Sequence, residues 1–184
     1  MTANFIETSL PGVIFIEPHV YGDNRGLFLE TFHQEKYSQG GIPAVFVQDN
    51  HSFSVKNTLR GLHYQLNHPQ AKLVYAVTGA IFDVAVDIRR GSPHFGKWTG
   101  LVLSAENHKQ LYIPQGFAHG FCVLSESADV TYKCSDFYSP EDECGILWSD
   151  PSIGIEWPVR EPLLSRKDAN SPALHEIPEE RLPV

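Results

Sequence analysis

The chain has 184 residues, room for one domain with a core of its own and no need of a disulfide or metal staple to fold. Hydrophobic residues make up 42% and charged residues 20%, which excludes a disordered chain. The formal charge of −8 excludes a generally basic surface for nucleic acid or anionic membrane, although a few clustered arginines can still hold a small anion.

Short β-rich runs follow one another along most of the chain. The first are 13–20 (VIFIEPHV), 27–33 (LFLETFH) and 44–54 (AVFVQDNHSFS), with a short helix expected at 33–39 that ends at Gly40-Gly41. Next come 58–66 (TLRGLHYQL) and the long stretch 72–88, in which Gly79 looks like a hairpin turn between two strands. Phe82, Val84, Val86 and Ile88 alternate with Asp83, Ala85 and Asp87, a period of two that predicts one buried and one open face. Runs at 97–104, 110–115, 119–125 and 129–138 complete the series, and Val130, Tyr132 and Cys134 alternate with Thr131, Lys133 and Ser135. From about Pro158 the pattern fails. Five prolines fall there, and 178–181 (PEER) offers a last helical turn, so this segment reads as an irregular tail laid over the rest.

Many short strands at even spacing predict an all-β sandwich or barrel, and at this length a jelly roll. Residues 1–184 read as a single domain, with no repeat or low-complexity tract. No charged-then-apolar leader is visible, and no apolar run approaches the roughly 18 residues of a membrane span, so the expected location is cytoplasmic. Cys122, Cys134 and Cys144 are odd in number and lack a CxxC spacing, which fits reduced thiols.

The densest polar cluster lies in 48–72. On a regular strand Gln48, Asn50, Ser52 and Ser54 share one face, either the wet side of an edge strand or a pocket wall that a ligand or water satisfies. Arg60 and His63 would point opposite ways unless a bulge intervenes. A second cluster, PQGFAHGF, carries Pro114, Gly116 and His119 in the P-x-G-x-x-H pattern that forms the second half of the cupin metal signature. The first half would need H-x-H and a Glu. Here it reads His63-Tyr64-Gln65, and Lys72 falls in the Glu slot. A metal needs neutral His and carboxylate ligands, so the pattern describes a cupin pocket whose metal is replaced by a fixed cation.

These stretches closely resemble the dTDP-4-dehydrorhamnose 3,5-epimerases. The likeness runs through DNRGLFLETF (23–32), QDNHSFSVKNTLRGLHYQ (48–65), 70–98, 111–158 and LSRKDAN (164–170), nearly the whole chain. It implies a cupin-type double-stranded β-helix that works as a homodimer without metal or other cofactor. The implied reaction inverts C3 and C5 of dTDP-4-dehydro-6-deoxy-glucose.

By this resemblance His63 is the base, Asp168 its orienting carboxylate, Tyr132 the acid on the opposite face, and Lys72 the cation at the C4 oxygen. Arg25, Arg60 and Lys167 would meet the diphosphate or its surroundings. Glu30, Gln48, Asp49 and Asn50 would approach the thymidine, Tyr138 would stack on the base, and Glu143 and His119 would line the site. Phe28 would come from the partner subunit. A proton beside a ketone leaves only if the enolate is stabilised, which requires a base, an acid and a positive group at the oxygen. The alternatives are an epimerase acting at C5 only or C3 only, a catalytically silent sugar-binding cupin, and a metal-dependent cupin. Tyr132 as a plain core tyrosine also fits its alternation.

Overall fold

The computed structural model describes residues 3–184, which form mainly antiparallel strands. In chain order they are β1 (Ala3–Glu7), β2 (Ile14–Pro18), β3 (Val20–Asp23), β4 (Gly26–Leu29) and, after the helix α1 (Gln34–Gln39), β5 (Gln48–Val55) and β6 (Leu59–Gln65). Then come β7 (Lys72–Thr78), β8 (Ala80–Asp87), β9 (Trp98–Ser104), β10 (Gln110–Ile113), β11 (Phe117–Val123), β12 (Ser127–Cys134), β13 (Glu143–Gly145) and the one-turn helix α2 (Arg166–Ala169).

One sheet has the order β1-β2-β10-β7-β12-β5 and the other β13-β6-β11-β8-β9. They face each other as a jelly roll. β3 and β4 form a separate two-stranded arm whose Tyr21, Leu27 and Phe28 are exposed.

Gly79 does not make a hairpin. β7 pairs with β10 and β12, whereas β8 pairs with β9 and β11, so Gly79 carries the chain from one sheet to the other. Its φ of +68° and a would-be Cβ only 2.0 Å from the Ser127 carbonyl oxygen make glycine necessary at this crossing. The open face expected on β8 is also corrected. Phe82, Val84 and Val86 do pack in a core, but Ile81, Asp83 and Ala85 are fully buried too, inside the barrel. A strand covered on both faces does not show its exposure in its alternation.

The reason is the C-terminal tail. Its Leu174 and Leu182 join Val84, Val86 and Ile88 on the outer side of the five-stranded sheet. Each such burial is worth about 1.5–3 kcal/mol, enough to hold an irregular segment down. Leu163 also bridges to Thr58, and the expected last turn appears as a 3-10 turn at Glu179–Arg181. The 13–20 run splits after Pro18 into β2 and β3. The 27–33 run stops at Leu29, and 44–47 lies outside β5.

The barrel interior is graded along its length. Deep inside, Val74, Ala76, Ile81, Val123, Ala128 and Val130 form an apolar plug. Toward the other end the same strands present polar side chains, and that end is the site.

Candidate active site

A bulge in β6 builds one wall. His63 pairs with His119 and Arg60 pairs with Phe121, so three steps on β6 oppose two on β11. This shift of one residue turns Arg60 and His63 to the same side, where regular alternation would separate them. Gly61 sits at the shift with φ +125°, and a Cβ there would lie 2.6 Å from Gly120 Cα, so only glycine fits between the strands.

His63 Nε2 lies 2.6 Å from Asp168 Oδ1. An ionised carboxylate only accepts, so Nε2 carries the proton and Nδ1 keeps its lone pair. Asp168 is buried on α2. Ser165 caps that turn, its Oγ accepting from the Asp168 N–H at 3.0 Å. Burial pushes the Asp168 carboxyl up, but His63, Ser165 and the Gly61 amide outweigh it and hold the group below the usual carboxylate range. Glu143 Oε1 stands 3.8 Å from the free Nδ1.

The facing sheet supplies the opposite wall. Gln48, Asn50 and Ser52 of β5, Lys72 of β7 and Tyr132 of β12 line the same cavity of about 420 Å³. Cross-strand pairs Asn50–Tyr132 and Lys72–Cys134 put them on one face. The Lys72 ammonium lies 6.0 Å from the centre of the Tyr132 ring. Burial lowers the Lys72 pKa, against the raising effect of Cys134, Asp83 and Glu143. Burial raises that of Tyr132, which keeps the phenol protonated at neutral pH.

His119 forms a second histidine–aspartate pair, 2.7 Å from Asp83 Oδ1. Burial lowers the His119 pKa more than Asp83 raises it, so the ring stays neutral. At the mouth, the exposed Tyr138 donates its hydroxyl to Glu143 Oε2 at 2.8 Å, and Lys167 Nζ forms a close ion pair with the same oxygen. Arg60 donates from Nε to Ser54 Oγ at 3.0 Å.

Thus Gln48, Asn50, Arg60, His63, Lys72, His119, Tyr132, Tyr138, Glu143, Lys167 and Asp168 converge on one cavity. Four predicted residues do not. Asp49 points outward from β5 to Lys133 at 2.9 Å, because its neighbours Gln48 and Asn50 take the inner face. Arg25 pairs with Asp23, Glu30 with Lys36 at 2.9 Å, and Phe28 is exposed on the arm, all outside the cavity lining of this chain. Asp83 and Ser165 join the site beyond the residues that the sequence points to. The Ser165-x-x-Asp168 spacing of a helix cap was the available signal for Ser165. The reading of β8 as open on one side hid Asp83.

Gln65, in the slot of a metal-binding His, instead ties two loops. Its Nε2 donates to the His68 carbonyl at 2.7 Å, and its Oε1 accepts from Ser139 N at 2.8 Å. Among the described residues no three His, Cys, Asp or Glu side chains gather in a metal-binding group. The arrangement can remove a proton from one side of a bound molecule and deliver one from the other, with a cation between.

The family model described as dTDP-4-dehydrorhamnose 3,5-epimerase matches residues 7–176. The chain is 60% identical over 169 residues to the dTDP-4-dehydrorhamnose 3,5-epimerase of Shigella flexneri, covering 91% of this chain and 93% of that one. Among solved structures, the dTDP-6-deoxy-D-glucose-3,5-epimerase of Legionella pneumophila in complex with dTDP-4-keto-L-rhamnose superposes with a TM-score of 0.96 at 52% identity, over 98% of this chain and 97% of that chain. A 3'-monoepimerase of Streptomyces bikiniensis in complex with dTDP-quinovose superposes with a TM-score of 0.86 at 37% identity, over 91% and 86%.

Proposed function

This chain belongs to the dTDP-4-dehydrorhamnose 3,5-epimerase family, and we propose that its cavity inverts C3 and C5 of dTDP-4-dehydro-6-deoxy-D-glucose with His63 as base and Tyr132 as acid. The product is dTDP-4-dehydro-L-rhamnose. The observation that carries the assignment is the placement of the two groups on opposing sheets, His63 on β6 and Tyr132 on β12, across one cavity. Inversion requires that arrangement, since the proton must leave one face and return on the other.

His63 Nδ1 takes the proton from C3 or C5, and the C–H electron pair moves into the C4 carbonyl to give an enolate. The Lys72 ammonium stabilises that oxygen, in a setting whose low dielectric strengthens the contact. Tyr132 then donates its phenolic proton to the same carbon from the other face. Each half-reaction leaves a protonated imidazole and a phenolate, and both reset by proton exchange before the second carbon reacts.

Lys167 and Arg60 meet the diphosphate, for which guanidinium and ammonium groups are suited. Tyr138 stacks on the thymine, and Gln48 and Asn50 approach the thymidine. The working unit is a homodimer in which Arg25, Phe28 and Glu30 of one chain complete the site of the other. The free-standing β3–β4 arm and the exposed Phe53, Val55 and Val77 on the outer face of the six-stranded sheet support this reading. No helix among the described residues is long and apolar enough to cross a membrane.

The test is solvent deuterium wash-in at C3 and C5. His63→Ala should lose about 10²–10⁴-fold in exchange, the usual size of a general-base contribution. Full exchange by that variant would remove His63 from the role.

A further inference from the structure

Glu143 touches both ends of the cavity at once. Its Oε1 stands 3.8 Å from His63 Nδ1, the ring nitrogen that Asp168 leaves free. Its Oε2 accepts from the Tyr138 hydroxyl at 2.8 Å and pairs closely with Lys167. The imidazole therefore lies between two carboxylates, one from α2 and one from β13. α2 grips both, since its adjacent residues Lys167 and Asp168 reach Glu143 and His63 respectively.

The two partners of Glu143 Oε2 are the groups at the mouth suited to a nucleotide. The Tyr138 ring and the Lys167 ammonium are each about half exposed. A diphosphate attracts the ammonium, and a flat base takes the ring face. Both contacts compete with Glu143 for the same side chains.

We propose that Glu143 is a positioning residue that couples nucleotide binding to the base: Lys167 and Tyr138 neutralise it until a nucleotide draws them away, and its released charge then falls on His63. The proposal rests on the reading of this cavity as a nucleotide-sugar site. A carboxylate paired with an ammonium exerts little net field at Nδ1, whereas an unpaired one at 3.8 Å favours the imidazolium that forms when His63 takes the substrate proton. Glu143 is ionised for this role. Burial pushes its carboxyl up, but Lys167, Tyr138 and His63 bring it below the usual range. The coupling lets binding of the unreactive dTDP end strengthen the base at the sugar end, a use of remote binding energy on the chemical step. The other charged or titratable groups facing His63 are Asp168 of α2, His119 of β11, Lys72 of β7, Tyr132 of β12 and Arg60 of its own strand, none of which contacts Glu143 Oε2.

The experiment follows the His63 ring by NMR in protein labelled at histidine nitrogens, with the signal assigned by His63→Gln, across pH with and without saturating dTDP. In the wild type dTDP should raise the titration midpoint by about one pH unit or more, the size expected when a nearby charge is uncovered. In Glu143→Gln the rise should largely vanish. In Lys167→Met the midpoint should already be raised without dTDP. An equal rise in wild type and Glu143→Gln would trace the effect to the diphosphate's own charge and overturn the proposal. So would a Lys167→Met midpoint equal to that of the wild type, an arm that decides alone should Glu143→Gln not fold. If dTDP moves no resonance of the cavity in the wild type, the nucleotide reading itself fails, and the proposal with it.

Discussion

Replacing Asp168 by Asn tests the base through its tautomer. The carboxylate accepts from His63 Nε2 at 2.6 Å and also feels the Gly61 backbone amide. Asp168→Asn is nearly isosteric, so α2 should keep its place. Ser165 caps it through the backbone N–H of residue 168, and Leu174 and Leu182 anchor the tail independently. The introduced amide has one oxygen and one NH2. If the oxygen turns to the Gly61 amide, the NH2 faces His63 and Nε2 must accept. The ring proton then moves to Nδ1, the nitrogen that must be free to take the substrate proton. The wrong tautomer and the lost charge together should cost about 10²–10⁴ in turnover, or about 2.7–5.4 kcal/mol of transition-state stabilisation. KM should change little, because neither atom touches the nucleotide part in this reading. The assay is deuterium wash-in at C3 and C5 alongside turnover, with circular dichroism and a urea midpoint to show that the variant is folded. A folded Asp168→Asn with turnover within about threefold of wild type, well inside the smallest general-base effect, would refute the argument that Asp168 fixes the ring.

Tyr132→Phe should uncouple exchange from inversion: deuterium still enters the substrate, which returns with its original configuration, and a normal inversion rate would take Tyr132 out of the mechanism. If the sites are shared, folded, dimeric and separately impaired Arg25→Ala and His63→Ala variants should recover about a quarter of wild-type activity after subunit exchange, because half of the random dimers are hybrid and half their sites intact. No recovery would mean that each chain builds its own site. Burial holds His119 below the usual range of a histidine, so the unfolded chain takes up a proton that the folded chain resists, and this contribution to stability is lost as pH falls through about 6.5, the ordinary value of an exposed imidazole. The depressed carboxylates Asp168 and Glu143 lose theirs only below about pH 4. The urea-midpoint advantage of wild type over His119→Gln should therefore shrink between about pH 7.5 and pH 5; a constant advantage would contradict a neutral buried ring.

Much of the site was legible because strand alternation is local. Gln48, Asn50 and Ser52 share an inner face as their spacing predicts, and Lys72, the residue the broken metal signature singles out, lines the cavity. The crossing at Gly79 was not legible, because a glycine between two alternating runs looks the same whether the second strand folds back or passes to the other sheet. The shared face of Arg60 and His63 was open for a similar reason. A bulge leaves no composition signal beyond the glycine that permits it, and here that glycine is needed by a close approach to Gly120 across the sheet. Asp168 lies in a segment without strand periodicity, so only the resemblance singled it out. Its position is set by tail packing, a long-range property that no window of sequence carries. Arg25, Phe28 and Glu30 sit outside the cavity lining of their own chain, and only the resemblance assigns them to a site, that of a second copy.

The graded interior bears on the role proposed for the Lys72 ammonium. On β7, Lys72 is followed two residues later on the same face by Val74, and on β12 Tyr132 is preceded by Val130, both fully buried. The cation therefore sits at the boundary between the apolar plug and the open cavity. Burial already works against its charge at this position, and a place deeper in the plug would add to that cost. Nearer the mouth, water would screen it. The carboxylates of Asp83 and Glu143 favour its charged form against burial. Asp83 also holds His119, so the buried half of the cavity is a linked set of Lys72, Asp83 and His119 rather than a lone cation. Removing Asp83 should then disturb Lys72 as well as His119, which sets this set apart from a histidine pair kept only for packing.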